Sequence, residues 1–199
     1  MTSAVSVTGS TVLNQGTRAG STPSTALHSL QVRPIPIRVA KAIVEENHYL
    51  HSLPGGTQMA FGTFSGHRLL GAITRGAGPY NSPSLVSGAT SADCLALTRL
   101  WLSDELPANS ESRVIGIVLR LLRKHTSVKF LLSYADPSHG HVGTIYQATG
   151  WLYTGLSEPM PLYDLGDGRA RHSRSVAHVY GSHSLRYFAT HGVGVKLVP

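Results

Sequence analysis

Three residues that can offer oxygen or nitrogen stand where apolar stretches end. His48 and Tyr49 close the run RVAKAIVEENHY, and Asp136 follows VKFLLSYA. An imidazole, a phenol and a carboxylate make one nitrogen and two oxygen donors, a set that suits iron or another transition ion. The same residues also admit plain roles: His48 as a hydrogen-bonded surface side chain, Tyr49 as a core aromatic, Asp136 as a turn former ahead of Pro137. Arg99 lies within the apolar run DCLALTRLWLS. Burying a guanidinium unpaired is costly, so it must meet a carboxylate (Asp136 or Glu105), a phosphate or a substrate. Ser112 stands just before a helical run, where its hydroxyl either caps the helix or bonds a ligand.

Seventeen Lys and Arg against ten Asp and Glu leave a formal charge of +7 with His neutral. A polyanion is the natural partner of such a chain, solubility being the alternative use of the charge. The segment GDGRARHSRS sets Arg169, Arg171 and Arg174 in a Gly- and Ser-rich loop that can approach DNA phosphates, with Lys41, Arg68 and Arg75 extending the surface. The single Cys94 excludes an internal disulfide and a Cys-based zinc cluster, and it suits a reducing cytoplasm. No run approaches the ~18 apolar residues that span a bilayer, and the first residues lack a basic-then-apolar signal, so a soluble cytoplasmic protein is expected.

These groups need elements to hold them. Residues 1–30 are mostly Ser, Thr, Gly and Ala and are expected to form a flexible arm, with a short strand at Val5 to Val7 or Thr11 to Leu13 as the alternative. Residues 31–199 are expected to form one domain. After QVRPIPI, too proline-rich for a helix, apolar spacing predicts a helix from Arg38 toward Pro54. Gln58–Ser65 and Arg68–Thr74 read as a hairpin, Pro79–Ser91 as a polar loop and Asp93–Ser103 as a longer strand. VIGIVLRLLRKH then reads as an amphipathic helix with cations in its last turn, VKFLLSYAD as a buried strand, HVGTIYQATG as a short helix and WLYTGL as a strand. The order predicts an α/β chain, more narrowly α+β: a mixed, mostly antiparallel central sheet flanked by helices.

That order resembles the GNAT acyltransferase fold, and two words sharpen the likeness. Arg113-Val114-Ile115-Gly116-Ile117-Val118 resembles the superfamily's Q/R-x-x-G-x-G/A turn, in which free amides at a helix start bind the CoA pyrophosphate. Val118 departs from the small residue that ends this motif. Ile145-Tyr146-Gln147-Ala148-Thr149-Gly150-Trp151 resembles the helix-to-strand closure that brings a tyrosine beside the thioester. The likeness implies acetyl-CoA bound by Ser112, Arg113, Val114, Gly116 and Tyr146, with the Tyr146 hydroxyl protonating the leaving thiolate as general acid.

Within that superfamily, residues 35–180 resemble the phage Mom family. The words that carry this are Asn47-His48-Tyr49-Leu50-His51, Leu97-Thr98-Arg99-Leu100-Trp101, and Ser133-Tyr134-Ala135-Asp136-Pro137 followed by His139, Gly140 and His141. The resemblance implies an enzyme that converts adenine N6 in double-stranded DNA to a methylcarbamoyl derivative and so shields phage DNA from host restriction. It implies a metal on His48, Tyr49 and Asp136, and catalysis by Asp136, Tyr146, Arg99 and His48. The exocyclic amine is a poor nucleophile because its lone pair is delocalised into the ring, which is why extra activation is expected. N6 lies on the pairing edge, so the base must be flipped out, with Tyr49, Tyr80 or Trp101 available to stack on it. A homodimer is a further expectation. Two other readings share parts of this sequence: a GNAT acetyltransferase acting on a protein or small-molecule amine, and a non-catalytic basic DNA-binding protein.

Overall fold

The computed structural model describes residues 2–7, 30–157 and 162–198. Contacts group the chain into two compact units, residues 2–156 and the stretch from Ser157 onward, where one domain over 31–199 is expected from the sequence. The second unit closes a small core of its own on Tyr163, Val176 and Phe188.

The larger unit is built on a seven-stranded sheet of order β2-β3-β4-β5-β6-β1-β7. Its strands are β1 (Thr2–Val7), β2 (Leu30–Pro34), β3 (Thr57–Ser65), β4 (Arg68–Gly76), β5 (Cys94–Leu102), β6 (Phe130–Ala135) and β7 (Leu152–Leu156). Consecutive strands from β2 to β5 pair antiparallel, and β5 and β6 make the parallel pair, which is the mixed and mostly antiparallel sheet the element order predicts. β1 lies between β6 and β7 and is antiparallel to both. The expected arm therefore begins with a strand. Residues 8–29 lie outside the described residues.

Helix α1 (Ile37–Asn47) covers one face, where Ala40 sits on Ala60 and Ala72; three methyl side chains let helix and sheet approach closely. It stops at Asn47, well short of Pro54, with the Asn47 amide donating back to the Ile43 carbonyl. Helix α2 (Ser110–His125) covers the opposite face and carries Arg123, Lys124 and His125 in its last turn, as the sequence predicts. Its Val114, Ile115, Val118 and Leu122 pack with Phe61, Ile73, Leu95, Leu97 and Leu131 in the main core. Each such side chain contributes roughly 1.5–3 kcal/mol by leaving water.

Two irregularities in the sheet decide where chemistry can happen. Arg75 pairs with Leu97 and Thr74 with Arg99, so Thr98 is an extra residue in β5. Such a bulge inverts the alternation beyond it: Leu95 and Leu97 face α2, Arg99 and Trp101 turn to the α1 face, and Leu100 and Leu102 return to the α2 core. The second irregularity is between β5 and β6. They pair only over Cys94–Ala96 and Phe130–Leu132, after which β5 follows β4 to Leu102 and β6 follows β1 to Ala135. The parallel strands part, and a wedge opens between them.

Helix α3 (Thr144–Gln147) is a single turn, and Gly150 at φ 76° brings the chain back so that Trp151 N–H bonds the Tyr146 carbonyl at 3.1 Å. That is the expected Gly150 closure. The smaller unit holds β8 (Leu162–Asp164), β9 (Ala170–His172) and β10 (Lys196–Val198) in the order β10-β8-β9, with α4 (Ser173–Tyr180) and α5 (Leu185–Thr190). Among the described residues no helix is long and apolar enough to cross a membrane.

Candidate functional site

At the C-terminal end of α1 the chain leaves the helix at His48, whose backbone is extended, and folds over the sheet face that carries Arg99. Tyr49 becomes the centre of an aromatic column, with its ring centroid 4.4 Å from His48 on one side and 4.4 Å from His139 on the other; His141 is 5.2 Å away. His139 Nδ1 lies 3.2 Å from Asp136 Oδ2 within the segment after β6, and the His139 ring against Tyr49 ties that segment to the one after α1. Arg99, delivered by the bulge, spends its donors on backbone. Nε bonds the Ser52 carbonyl at 2.9 Å and one terminal nitrogen the Thr98 carbonyl at 2.6 Å. Neither carboxylate expected for it is its partner, since Glu105 holds Arg68 instead at 2.8–2.9 Å. The Thr74 and Thr98 hydroxyls, 2.9 Å apart, secure the bulge from beneath.

Across the wedge, Tyr146 is buried and its oxygen accepts a hydrogen bond from the Ser133 hydroxyl at 2.7 Å. The Ser133 hydroxyl also faces the Leu97 carbonyl at 3.4 Å, so one side chain links β6 to β5 and to α3. Beside it runs a cleft lined by Ala135, Val142, Gln147, Trp151 and Tyr153. Trp151 Nε1 is buried there without an acceptor.

Electrostatics couples these groups. Burial holds the His48 pKa down to about 4, and the nearby Arg99, His141, His51 and His139 add to the effect, so the ring is neutral at physiological pH. Burial raises the Tyr49 phenol; the Asp136 carboxylate adds to this while Arg99 opposes it. Burial likewise raises Tyr146, with a smaller push from Tyr49. Both tyrosines therefore keep their protons near neutrality. Arg99 acts electrostatically on His48 and Tyr49, and Tyr49 on Asp136 and Tyr146, so groups far apart in sequence are linked through Tyr49 and Arg99 here. Sequence reasoning carried Ser133, His139 and His141 only as parts of a motif, without a role. The one signal for Ser133 was its place on the same face as Ala135 in an otherwise apolar strand.

The metal expected on His48, Tyr49 and Asp136 does not fit the donors. His48 Nδ1 already accepts the Leu50 N–H at 3.1 Å, which puts the ring proton on Nε2 and leaves no free lone pair. Among the described residues no group of three His, Cys, Asp or Glu side chains could hold an ion.

The helix that was to grip a diphosphate starts earlier than its motif suggests. α2 begins at Ser110, and the Arg113 N–H is already bonded to the Asn109 carbonyl at 3.2 Å. Val114 is fully buried and Gly116 lies a turn inside the ladder, so these amides are not free ends. The start moves because Asn109 adopts a left-handed conformation and the Ser110 hydroxyl bonds the Pro107 carbonyl at 2.6 Å. Ser112 donates to the Asn109 carbonyl at 3.0 Å, a back-bond to the preceding turn and not the expected cap, which would have its oxygen accept a helix N–H. Arg113 and Arg120 do share an exposed stripe with Gly116, whose missing side chain leaves space 3.7 Å from the Arg120 guanidinium.

Of the six cations expected to meet DNA, Arg75 cannot as it stands. It is fully buried with no partner for any guanidinium nitrogen, lies over the Phe61 ring at 4.7 Å, and its pKa is pushed down to about 9 by burial. The predicted strand ends at Thr74 and leaves Arg75 outside it among the surface cations, whereas β4 runs on to Gly76 and both faces of that strand are covered. Lys41 pairs with Glu45 at 3.7 Å and Arg68 with Glu105, both at the surface. The segment from Gly166 is not one loop. The Asp164 carboxylate takes the N–H groups of Gly166 and Gly168 and makes a tight turn, after which Arg171 is in β9 and Arg174 in α4. Arg171 is bound to Asp167, and Arg169 is exposed. Of the aromatics expected to stack on a base, Tyr49 sits in the column, Tyr80 is fully exposed and Trp101 is half-buried.

Comparison with known proteins gives these groups a context. The chain is 32% identical over 146 residues to the protein named methylcarbamoylase mom of Escherichia phage Mu, a match that covers 72% of this chain and 60% of that relative's length. The model of the Mom protein family matches residues 29–198, a span that contains the aromatic column, Arg99 and Tyr146, and the chain belongs to that family.

Proposed function

We propose that this chain modifies adenine in DNA at N6 to a methylcarbamoyl-type derivative, with acetyl-CoA as acyl donor and a second, nitrogen-bearing co-substrate supplying the amide nitrogen that an acetyl group lacks, and that the modification shields phage DNA from host restriction. The observation that carries the reading is the convergence of His48, Tyr49, Arg99, Asp136 and Tyr146 on the wedge between β5 and β6. The relative's name supports the group, and the GNAT-like motifs of the sequence support the class of enzyme.

The wedge suits a pantetheine arm. Where parallel strands part, backbone N–H and C=O groups lose their ladder partners, and an extended ligand with amides of its own can replace them. Bound there, acetyl-CoA would supply a thioester-activated acyl carbon. Its diphosphate would be met by the guanidinium groups of Arg113 and Arg120 beside Gly116, in place of free helix amides. Tyr146 holds a proton at its phenol oxygen in reach of the cleft, Asp136 offers a carboxylate to accept a proton from the attacking amine, and Arg99 places positive charge where an acyl oxygen becomes negative. The target adenine leaves the duplex and stacks with an aromatic such as Tyr49 or Tyr80. Exposed Arg169 is the first candidate for phosphate contact, with Lys41, Arg68 and Arg171 able to join by exchanging present partners and Arg174 as a further cation.

Expression in a bacterial host followed by mass spectrometry of nucleosides from digested DNA tests the proposal. The intact chain should convert part of the adenine, and Asp136→Ala and Tyr146→Phe should lower that fraction on the order of 100-fold. Unmodified adenine throughout, with folded protein present, would overturn it.

A further inference from the structure

The backbone around His48 fixes which of its nitrogens carries the proton. The turn after α1 is closed by the His51 N–H on the His48 carbonyl at 2.7 Å, and it aims the Leu50 N–H at His48 Nδ1, 3.1 Å away. A neutral imidazole has one N–H and one lone pair, and an imidazolium has no lone pair at all. With Nδ1 accepting from a peptide N–H, the ring is the neutral tautomer with its proton on Nε2. The peptide cannot be turned round without undoing the helix end, so the tautomer is set by the fold.

We infer that His48 is a fixed Nε2–H hydrogen-bond donor to the carbonyl oxygen of the transferred acyl group, and that it serves neither as a metal ligand nor as a general base. The ring is 7% exposed and is held by its stack on Tyr49, which limits the directions in which the donor can point. Arg99 is close enough to act on it electrostatically, and Arg99 has one terminal nitrogen beyond those bonded to Ser52 and Thr98. A neutral donor with a positive charge in its electrostatic neighbourhood suits an oxygen that gains negative charge. Ligation of a metal would need the Nε2 lone pair. Freeing it moves the proton to Nδ1, where it would face the Leu50 N–H donor to donor, so a metal would cost the turn its hydrogen bond. Naming the oxygen as an acyl oxygen rests on the proposed function; the tautomer does not.

The test uses the full chain labelled with 15N-histidine. Long-range proton–nitrogen correlation at pH 7, with His48 assigned from its absence in His48→Gln, should show the Nε2–H tautomer. The pattern should persist when zinc chloride alone is added to one equivalent. In the nucleoside assay His48→Gln, whose amide places an N–H near the position of Nε2, should keep modification within about tenfold, while His48→Ala should lose on the order of 100-fold, as expected for loss of an oxyanion donor. A Nδ1–H tautomer, a doubly protonated ring, a zinc-shifted His48 signal, or His48→Gln as inactive as His48→Ala would each overturn the inference. If intact protein with the Nε2–H pattern modifies no adenine, the proposed function fails and the assignment of the acyl oxygen is overturned with it.

Discussion

The two faces of the central sheet each hold an arginine without a carboxylate partner, Arg75 and Arg99, and treat it in opposite ways. On the α2 face Arg75 is sealed over Phe61 with no acceptor, among the leucines, isoleucines and valines of the main core. On the α1 face Arg99, opposite Thr74 one position along β4, is tethered by two carbonyls and looks toward a column of His and Tyr rings. The α2 face is a packing surface that tolerates a charge at a cost; the α1 face is organised around one. Substitutions on the first should therefore move stability, and those on the second should move activity.

The largest effect is expected from Val118→Asp, which sets a carboxylate in the fully buried seam between α2 and the sheet. The cost exceeds about 4 kcal/mol, and no cooperative thermal transition should remain; a folded, active variant would break the comparison outright. Arg99→Leu comes next. Modified adenine should fall on the order of 100-fold, while the melting temperature moves by no more than about 4 °C, the shift worth ~1 kcal/mol in a chain of this size. A collapse of stability there would make the α1 face structural too. Arg75→Met should do the reverse, stabilising by about 1–3 kcal/mol, since an unbranched apolar side chain of similar length avoids burying an uncompensated charge. Calorimetry should show the higher transition with modification unchanged.

A smaller effect separates the regions by pH. His48 holds its pKa near 4 when folded against an ordinary 6.5, so the unfolded chain takes up that proton first and stability declines as pH falls from 6.5 toward 4. Asp93, bonded by Lys129 and Thr90, is held near 2 against an ordinary 3.8, so its contribution is present above 3.8 and is lost as pH falls from there toward 2. Melting curves across pH 3–7 should show the first decline vanish in His48→Gln and the second in Asp93→Asn. Neither substitution should alter the other's window.

By itself the sequence determined the class of sheet, the hairpin of β3 and β4, the buried strands, the cationic end of α2 and the Gly150 closure, because each rests on spacing or composition within a dozen residues. It also marked His48, Tyr49, Arg99, Asp136 and Tyr146, since polar groups ending or interrupting apolar runs stand out in one dimension. Only the tertiary structure decided the rest. The bulge at Thr98 adds one residue to one strand and reverses every side chain after it, and no local pattern announces an insertion whose partner is on another strand. Arg75 could not be known as buried until both faces of β4 were covered, and the strand at Thr2–Val7 needed the open edges of β6 and β7 to pair with. The proton on His48 Nε2 depends on one peptide N–H arriving after the helix ends, a matter of angles that composition does not contain.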